Sequence, residues 1–295
     1  MKISVVVTNW NGKTILEKSL PQIIKYSKIA SEIIIVDDFS EDDSLAFIKS
    51  EQKKNKKIVL VPQTENRGFA NTSNLGVQVA KGELIVLLNN DIYPTDGYIE
   101  NSLHHFKDPK VFGVGFAEVG SENWPRIFWS EGYFQYEPIH SNSVHIAAWL
   151  SGGSCIVRKK IFQSLGGFDE VYKPFYSEDL DLGYRAWKSG YTLLWEPESK
   201  VYHRHGTTTS KFSKHFTDYV KERNRLLVVY RNITDKSLLR SNYVGIIFRI
   251  LFGPNYIKIV RAAKRQISSY QKSIYVNSRT DREIFNMFSK DETKD

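Results

Sequence analysis

Cysteine is nearly absent from this sequence of 295 residues, which contains Cys155 alone. An intramolecular disulfide is therefore excluded, and so is a zinc site built from several cysteines. A lone cysteine is most often a small buried apolar residue, and we expect Cys155 to be one. The scarcity of cysteine fits a reducing compartment.

Long apolar runs are also missing. No uninterrupted apolar stretch approaches the roughly 20 residues that cross a bilayer as a helix. The apolar run near Met1 is too short for the core of a signal peptide, and Asn9 and Asn11 follow it at once. We therefore expect a cytoplasmic protein.

The glycines that phosphate-binding loops need are missing as well. A P-loop built on Gly12–Thr14 would require a glycine five residues before its first residue, and that position holds Val7. Gly113, Gly115 and Gly120 lack the spacing of a dinucleotide-binding fingerprint, and they lie in or after the fifth predicted strand, whereas the fingerprint follows the first. The sequence therefore supports neither a P-loop nucleotidase nor a nicotinamide-dependent enzyme.

Positive charge is in excess and unevenly spread. The formal net charge is +8, yet the segment from Arg204 to Arg282 has 17 Lys and Arg against 4 Asp and Glu, so the remainder carries a net −5. A basic C-terminal region favours an anionic partner such as nucleic acid, anionic lipid or a phosphate-bearing substrate. The length suits one large α/β domain with an appendage, or two small domains.

Strand-like and helix-like segments alternate through the first half. Short β-branched apolar runs predict strands at Ile3–Thr8, Glu32–Val36, Ile58–Val61, Leu84–Leu88 and Val111–Phe116. Helical spacing predicts helices at Phe69–Ala80, with Gly82 as the C-terminal cap, and at Thr95–Phe106. This alternation predicts an α/β fold with a mostly parallel, Rossmann-like sheet flanked by helices.

Polar clusters follow three of these strands: Thr8–Asn11, Asp37-Asp38 and Asn89–Asp91. In parallel α/β sheets, ligands bind at the carboxyl ends of the strands, near the point where the strand order reverses. If the three strands are neighbours, the three clusters line one crevice.

Residues 118–148 are rich in aromatic side chains and show no clear period. Two interpretations stay open: a partly ordered insertion packed on the sheet, or a binding wall of flat rings, which stack well on the faces of sugars. Beyond this segment the sequence predicts a strand at Ser154–Val157, a helix from Lys159 and a helix that starts at Ser177.

Two acidic motifs are candidates for chemistry. Asn89–Asp91 ends a hydrophobic strand, where a carboxylate can hold a hard divalent cation, although an Asn/Asp turn explains it equally simply. Ser177–Asp181 opens a helix, where Ser177 as N-cap and acidic residues in the first turn are a sufficient structural explanation. The functional interpretation is a carboxylate that acts as a general base.

Together these motifs resemble those of glycosyltransferase family 2, an inverting family with the GT-A fold. The similarity runs from about Ile3 to Gly206, and its segments occur in the family's order: Val5–Gly12, Ile35–Asp42, Asn66–Ala70 with Asn74 and Gly76, Leu87–Asp91, Gly166–Glu170, and Ser177–Leu182 with Arg185. Each segment alone is weak evidence for the family, whereas the order and spacing of all the segments are specific to it. The Asn-Asn-Asp and Trp-Asn-Gly forms are most similar to the rhamnosyltransferase-like members.

The resemblance implies a role for particular residues. Asp179 would be the catalytic base, with Glu178 positioning it or the acceptor. The nucleotide would be bordered by Thr8, Asn9, Asn11, Asp38, Arg67 and Asn90. The acceptor would be bordered by Trp149, Gly153, Phe168 and Asp169.

The resemblance also implies a divalent cofactor, Mn²⁺ or Mg²⁺, with Asp91 as its ligand. Asn89 stands where the family's Asp-x-Asp motif has its first aspartate, which leaves fewer negative charges around the metal. His203 and His205 alternate along an extended segment and would face the same side. The resemblance suggests that His205 reaches the metal or the diphosphate, and the alternative is two ordinary histidines after a strand.

The predicted reaction is inverting transfer of one sugar from dTDP-rhamnose or a UDP-sugar to a glycan or glycolipid acceptor. A nucleoside diphosphate leaves more readily when a cation neutralises the charge that develops on it, and the acceptor hydroxyl needs a base. Two alternatives stay open: a catalytically inactive sugar-binding or scaffold module on the same fold, and a sugar-nucleotide nucleotidyltransferase. The latter requires a Gly-rich basic loop after the first strand, where this chain has Asn9–Gly12.

The predicted domains are a catalytic domain at residues 1–206, with a nucleotide-binding half at about 1–117 and an acceptor half at about 118–206, and a basic helical C-terminal extension at 207–295. The extension contains an apolar stretch, Tyr243–Phe252, and a basic one, Tyr256–Gln266. It is either an appendage packed on the catalytic domain or an amphipathic helix on the inner face of an anionic membrane. Nucleic-acid binding is not expected, because no recognition motif accompanies the charge.

Overall fold

The first third of the chain builds four neighbouring parallel strands. The computed structural model describes residues 1–121, 123–204, 212–268 and 278–289. The four strands are β1 (Ile3–Asn9), β2 (Glu32–Asp37), β3 (Ile58–Pro62) and β4 (Leu84–Asn89), and their spatial order is β3-β2-β1-β4. All three pairings are parallel. The β-branched residues of β1, β2 and β4 are buried almost without interruption, as expected for strands covered on both faces, whereas the edge strand β3 is mostly half-buried.

Helices cover both faces of this sheet. Helices α1 (Lys13–Tyr26) and α2 (Ser44–Lys54) pack on the face that carries Val5 and Val7, whereas α3 (Phe69–Val79) packs on the face that carries Val6. Alternate residues of β1 therefore enter two separate cores, because successive side chains of a strand point to opposite faces.

Two local predictions are wrong. Helix α3 ends at Val79 with extended backbone at Ala80, so Gly82 is not its cap. Gly82 instead lies against β1, where an added Cβ would be 2.6 Å from the backbone nitrogen of Ser4. The helix predicted at Thr95–Phe106 is a turn followed by a 3₁₀ helix at Glu100–Lys107, and a short strand, β5 (Ile92–Pro94), precedes it.

The second half extends the same sheet. It contributes β6 (Val111–Glu118), β10 (Ser154–Arg158) and β11 (Thr192–His203), in the order β4-β10-β6-β11-β5, and the two-residue strand β9 (His145–Ile146) pairs with β11. Strand β10 is antiparallel to both of its neighbours, while β6 and β11 are parallel. The α/β class and the mostly parallel sheet are confirmed. Cys155 is buried in β10, as expected, and burial raises the pKa of its thiol.

Most of the aromatic segment forms a regular β-hairpin, so the expectation of a partly ordered insertion is wrong for these residues. Strands β7 (Asn123–Ser130) and β8 (Tyr133–His140) pair along their whole length. The two-residue turn, Glu131-Gly132, has positive φ at both positions, 53° and 80°, as a type I′ turn requires. Aromatic residues of the hairpin enter the core beside the sheet: Trp124, Tyr133 and Phe134.

Helices dominate the rest of the chain. Helix α4 (Lys159–Ser164) follows β10, and α5 (Glu178–Lys188) precedes β11. The C-terminal helices are α6 (Lys214–Asn232), α7 (Lys236–Phe252), α8 (Tyr256–Ser268) and α9 (Asp281–Met287). Their buried residues belong to the same core as α3 and the hairpin. The C-terminal helices thus pack on the α/β core, and a domain division at residue 206 stays a prediction. Within the described ranges, no helix has the length and apolar character needed to cross a bilayer.

A buried ion pair ties α5 to α9. Lys188 Nζ lies 2.8 Å from Asp281 Oδ1, and each residue is only 1% exposed. Asp281 also accepts hydrogen bonds from the Tyr184 hydroxyl, at 2.7 Å, and from the backbone amides of Thr234 and Asp235. Burial by itself would raise the pKa of Asp281, but these donors, Lys188 first, hold it below its usual range.

We expect Asp281→Asn to lower the free energy of unfolding by about 3–5 kcal/mol, because it leaves the Lys188 ammonium buried without a counter-charge. The stabilisation that the Asp281 carboxylate provides should be complete above the pKa of an unfolded aspartate, about 3.9. It should be lost as the pH falls through the lowered pKa of Asp281 in the folded protein. Urea unfolding measures both effects. Asp218→Asn, at an exposed position of α6, is the control. Equal unfolding midpoints for the two variants would contradict the prediction.

Candidate active site

A cavity of about 470 Å³ opens where β1, β2 and β4 end and where α5 begins. It lies at the point where the strand order reverses between β1 and β4, which is where α/β sheets bind ligands. Its walls include residues from each of the three predicted polar clusters: Thr8, Asn9, Trp10, Asp38, Asn89, Asn90 and Asp91. The expectation that the clusters share one crevice is confirmed.

A hydrogen-bonded chain of side chains connects the three strand ends. Asp37 is fully buried and accepts a bond of 2.8 Å from Asn9 Nδ2. Asn9 Oδ1 in turn accepts a bond of 2.8 Å from Asn90 Nδ2. Gly12 lies against this link, where a side chain would overlap both amides. The chain fixes the position of Asn90 and leaves no space for a larger residue at Gly12.

Asp38 organises the loop that begins α3. Its carboxylate accepts hydrogen bonds from Gln63 Nε2 at 2.8 Å and from the backbone amides of Arg67 and Gly68 at 2.7 and 2.8 Å. Gly68 adopts a φ of +80°, which favours glycine. Asp38 therefore aligns residues 66–68 along the cavity wall and places the half-exposed Arg67 side chain, paired with Glu65, at the rim.

Asp91 sits at the cavity wall beside His203 of β11. The two residues are brought together because β11 pairs with β5, which directly follows Asp91. His203 Nε2 lies 3.3 Å from Asp91 Oδ1, and His203 Nδ1 lies 2.9 Å from Glu118 Oε1. Burial lowers the pKa of His203, but the hydrogen bonds and charges of Asp91 and Glu118 outweigh it and raise that pKa to about 9. His203 is therefore an imidazolium between two carboxylates at neutral pH.

Gly153, in the loop before β10, is in close contact with Asn89 at the end of β4. The Asn89 backbone amide donates a bond of 2.9 Å to the Gly153 carbonyl. A Cβ on Gly153 would fall inside the space of the Asn89 side-chain amide. Asn89 Oδ1 also lies 3.4 Å from the Thr8 hydroxyl. Gly153 thus gives Asn89 the room to reach the end of β1.

The start of α5 is strained. Tyr176 and Ser177 have φ values of 72° and 77°, which are rare for residues other than glycine. Ser177 occupies the N-cap position and acidic residues fill the first turn, as the structural explanation expects, but the Ser177 side chain makes no capping hydrogen bond. Backbone strain of this kind is maintained only where neighbouring structure enforces it, and it is concentrated at functional sites.

Helix α6 enforces this conformation. Asn224 is fully buried, and its Nδ2 lies within hydrogen-bonding distance of the carbonyls of Tyr172, Phe175 and Tyr176, at 2.8, 2.9 and 2.7 Å. Arg223 donates to the carbonyl of Lys173. The loop that leads into α5 is therefore held from the C-terminal side of the chain.

Glu178 and Asp179 both line the cavity and are half-buried. Removal from water raises the pKa of both carboxyls, and the charge of Asp179 raises the pKa of Glu178 further. Three backbone groups, those of Leu180, Asp179 and Gly152, act in the opposite direction on the pKa of Asp179. These backbone groups favour the ionised form of the Asp179 carboxyl.

Several residues that the resemblance assigns to the site lie outside the cavity wall. Asn11 stabilises the loop after β2, where its Oδ1 accepts a bond of 2.7 Å from the Glu41 amide. Phe168 is buried against Phe69, and Asp169 pairs with Arg231 of α6. Trp149 packs against Tyr136 of the hairpin. His205 lies outside the described residues, and the roles assigned to all of these residues stay predictions.

The structure adds residues that the sequence analysis did not assign. The cavity wall includes Asn66, Lys173, Phe175, Tyr176 and Phe212. The Phe212 ring is 5.2 Å from the Phe175 ring, so an aromatic rim stands beside the acidic pair. The aromatic doublet immediately before Ser177 was the available signal for this rim. Away from the cavity, His104, His105 and Glu196 are close enough to share a metal ion, but His105 and Glu196 already form a hydrogen bond of 2.7 Å.

Comparison with known proteins identifies the family. Residues 4–166 match the family model described as Glycosyl transferase family 2. The chain belongs to glycosyltransferase family 2. The resemblance recognised in the sequence is thereby confirmed, and with it the assignment as an enzyme.

Curated relatives of this glycosyltransferase share parts of its length. It is 36% identical over 105 residues to an N-acetylglucosaminyl-diphospho-decaprenol L-rhamnosyltransferase of Mycobacterium tuberculosis, which covers 35% of this chain and 33% of that protein. It is 26% identical over 234 residues to an uncharacterized glycosyltransferase of Haemophilus influenzae, which covers 72% of this chain and 68% of that protein. The match to the mycobacterial enzyme thus spans only about a third of either protein.

Solved structures share the fold of this glycosyltransferase. GalNAc-T7 with UDP, GalNAc and Mn²⁺ superposes with a TM-score of 0.65 at 18% identity, covering 92% of this chain and 55% of that one. TarS 1–349 of S. aureus in complex with UDP-GlcNAc gives a TM-score of 0.62 at 14% identity, covering 92% and 82%. These similarities confirm the GT-A fold.

We expect Glu178→Gln to raise the unfolding temperature at pH 8. The raised pKa means that the folded protein holds the Glu178 proton more tightly than the unfolded chain does. Stability therefore falls as the pH rises from the ordinary glutamate pKa, about 4.3, to the raised one. The uncharged side chain in Glu178→Gln does not lose stability in this way. Its unfolding temperature at pH 8 should therefore be higher by about 2–4 °C for each kcal/mol of unfolding free energy regained.

Thermal unfolding at pH 4 and pH 8 is the measurement, with the exposed Glu41→Gln as the matched control. The difference between Glu178→Gln and the native protein should vanish at pH 4, where both carry a neutral group. A variant that is less stable than the native protein at pH 8 would show that the Glu178 carboxylate is stabilising instead.

Proposed function

We propose that this glycosyltransferase moves a single sugar, with inversion, from a nucleotide-sugar donor to a glycan or glycolipid acceptor, and that it depends on a divalent metal. The observation that carries the proposal is the convergence of Asp91 and Asp179 on one cavity at the strand-order reversal. One carboxylate is available for a metal-bound diphosphate and the other for an acceptor hydroxyl. Two carboxylates with separate roles are what inverting transfer requires.

Asp179 is suited to remove a proton from the acceptor. Burial raises the pKa of Asp179, which makes its carboxylate a stronger base. The backbone groups around Asp179 favour its ionised form, so in this proposal Asp179 loses its proton before Glu178 does. An efficient general base has a pKa near the working pH. In this proposal Glu178 retains its proton longer and orients the acceptor hydroxyl by donating a hydrogen bond.

The residues near Asp91 fit a Mn²⁺ or Mg²⁺ ion held jointly with the donor. Mg²⁺ is usually bound by one or two protein carboxylates plus substrate phosphates, so a site with Asp91 as its main acidic ligand is sufficient when the diphosphate is present. His203 stands next to Asp91 and would have to release its proton to become a ligand. A bound ion would neutralise the charge that develops on the leaving diphosphate.

The donor is proposed from the relatives. The mycobacterial relative is named for rhamnosyl transfer to a decaprenol-linked sugar, and solved GT-A structures contain UDP, UDP-GlcNAc or GDP-Man. We therefore propose dTDP-rhamnose or a UDP-sugar as the donor and a glycan or lipid-linked glycan as the acceptor. A lipid-linked acceptor would bring the protein to the surface of an anionic membrane.

Nucleotide binding tests the donor side of the proposal. We expect UDP or dTDP with Mn²⁺ to raise the unfolding temperature, because a ligand at about 100 times its dissociation constant stabilises by about 2.7 kcal/mol. GDP and CDP serve as comparisons, and each nucleotide is measured with and without Mn²⁺. Asp91→Asn should abolish the metal-dependent part of the shift. No shift with any of the four nucleotides would favour an inactive module on the same fold.

Sugar transfer tests the acceptor side. We expect Asp179→Asn to reduce kcat by about 10²–10⁴, the usual contribution of a general base, while donor binding stays within about twofold. The measurement is release of nucleoside diphosphate from the donor that passes the binding test. Asp218→Asn is the control with the same change of side chain at an exposed position. Undiminished turnover in Asp179→Asn would remove this residue from the mechanism.

A further inference from the structure

Helix α7 exposes many large apolar side chains, while Asn242 and Ile246 are its buried residues. Its outward face carries a continuous row at helical spacing: Tyr243, Val244, Ile247, Phe248, Leu251 and Phe252. Leu251 is 69% exposed and Phe252 is 88% exposed. A helix on the surface of a globular protein normally shows the reverse arrangement, with its apolar stripe turned to the core.

Polar contacts hold the other face of α7 to the hairpin. Asn242 is buried and donates a bond of 2.7 Å to the carbonyl of Gly132. Ser241 accepts a bond of 2.8 Å from Trp129 Nε1, and Arg249 lies over the Tyr133 ring at 4.0 Å. These polar contacts act together with the packing of Ile246 on the core to fix the orientation of α7, and the apolar row is directed outward as a result.

The apolar row borders a hydrophobic groove. A groove of about 760 Å³ runs between α7 and the hairpin turn, with Trp129, Val244, Phe248 and Phe252 among its walls. A large exposed apolar surface marks a site that contacts a protein, a membrane or an apolar ligand. Such a partner could occupy the groove as well as contact the exposed face of α7.

Exposed basic residues precede and follow the apolar row along the chain. Lys236 and Arg240 occupy the start of the same outward stripe of α7. After the corner at Gly253-Pro254, the exposed stripe of α8 consists of basic residues: Lys258, Arg261, Lys264 and Arg265. Within α7 and α8 no acidic residue accompanies these cations. An apolar stripe bordered by Lys and Arg is the composition of a helix that lies in the interface of an anionic bilayer.

We propose that α7 is a membrane-insertion helix, which lies in the plane of an anionic phospholipid bilayer with its apolar row among the acyl chains and the basic stripe of α8 at the headgroups. An anionic bilayer explains both the apolar row and the basic residues before and after it. A protein partner would explain the apolar row but would not require the basic residues. The inference does not depend on the sugar-transfer activity, since binding to lipid needs neither donor nor acceptor.

Vesicle flotation tests the inference with the full-length protein. We expect binding to phosphatidylcholine vesicles that contain phosphatidylglycerol, at least tenfold weaker binding to phosphatidylcholine alone, and weaker binding as salt is raised, because salt screens the headgroup attraction. The double variant Leu251→Ser, Phe252→Ser should lose at least tenfold in vesicle affinity. The exposed pair Ile29→Ser, Val79→Ser, located away from α7, is the matched control and should bind as the native protein does.

Each contrary outcome has a clear meaning. Native protein that does not float with anionic vesicles, or that binds both vesicle types equally, would overturn the inference. So would a control pair that loses as much affinity as the α7 pair. If dilution of the native protein reveals a dimer that the Leu251→Ser, Phe252→Ser variant cannot form, the row is a contact between two copies of the chain and the inference is wrong. Because the substituted side chains are exposed, the unfolding temperatures of both variants should match that of the native protein.

Discussion

The hydrogen bonds from Asn224 to the carbonyls before α5 are the contact on which the arrangement of the cavity depends. One wall of the cavity, formed by the ends of β1, β2 and β4, is rigid because those strands are paired and buried. The opposite wall is a loop with two residues in left-handed conformations, which local sequence alone would not stabilise. Since Asn224 lies on α6, the acidic pair of α5 is positioned by a helix that follows the whole α/β core in the chain.

This dependence changes how the basic C-terminal region is understood. Its helices share the core of the sheet and hold the loop that carries Lys173 and Tyr176, while α7 and α8 direct apolar and basic surfaces outward. The two explanations that the sequence left open, packing on the core and contact with a membrane, are therefore compatible. Packing on the core involves one face of these helices, and the proposed membrane contact would involve the other.

The features predicted correctly from the sequence are those with a local cause. β-branched runs and the polar residues that end them predicted β1, β2 and β4 and the crevice at their ends, because burial and strand termination are visible in short windows. The hairpin was missed, because Glu131-Gly132 is not one of the dipeptides that signal a type I′ turn, although its backbone adopts that turn. The position of His203 beside Asp91 depends on the pairing of β11 with β5, and such register between distant segments has no local signature. The same holds for Asn224, whose partners lie about 50 residues earlier in the chain.

The contact between Gly153 and Asn89 also limits how this enzyme can change over evolutionary time. The space that a side chain at position 153 would occupy is filled by the amide of residue 89. A lineage could therefore acquire a larger residue at 153 only after residue 89 had become smaller, and the reverse order would pass through a damaged protein. Descendants of this sequence should show substitutions at the two positions as a pair, and the order of those substitutions is set by the shape of the cavity wall.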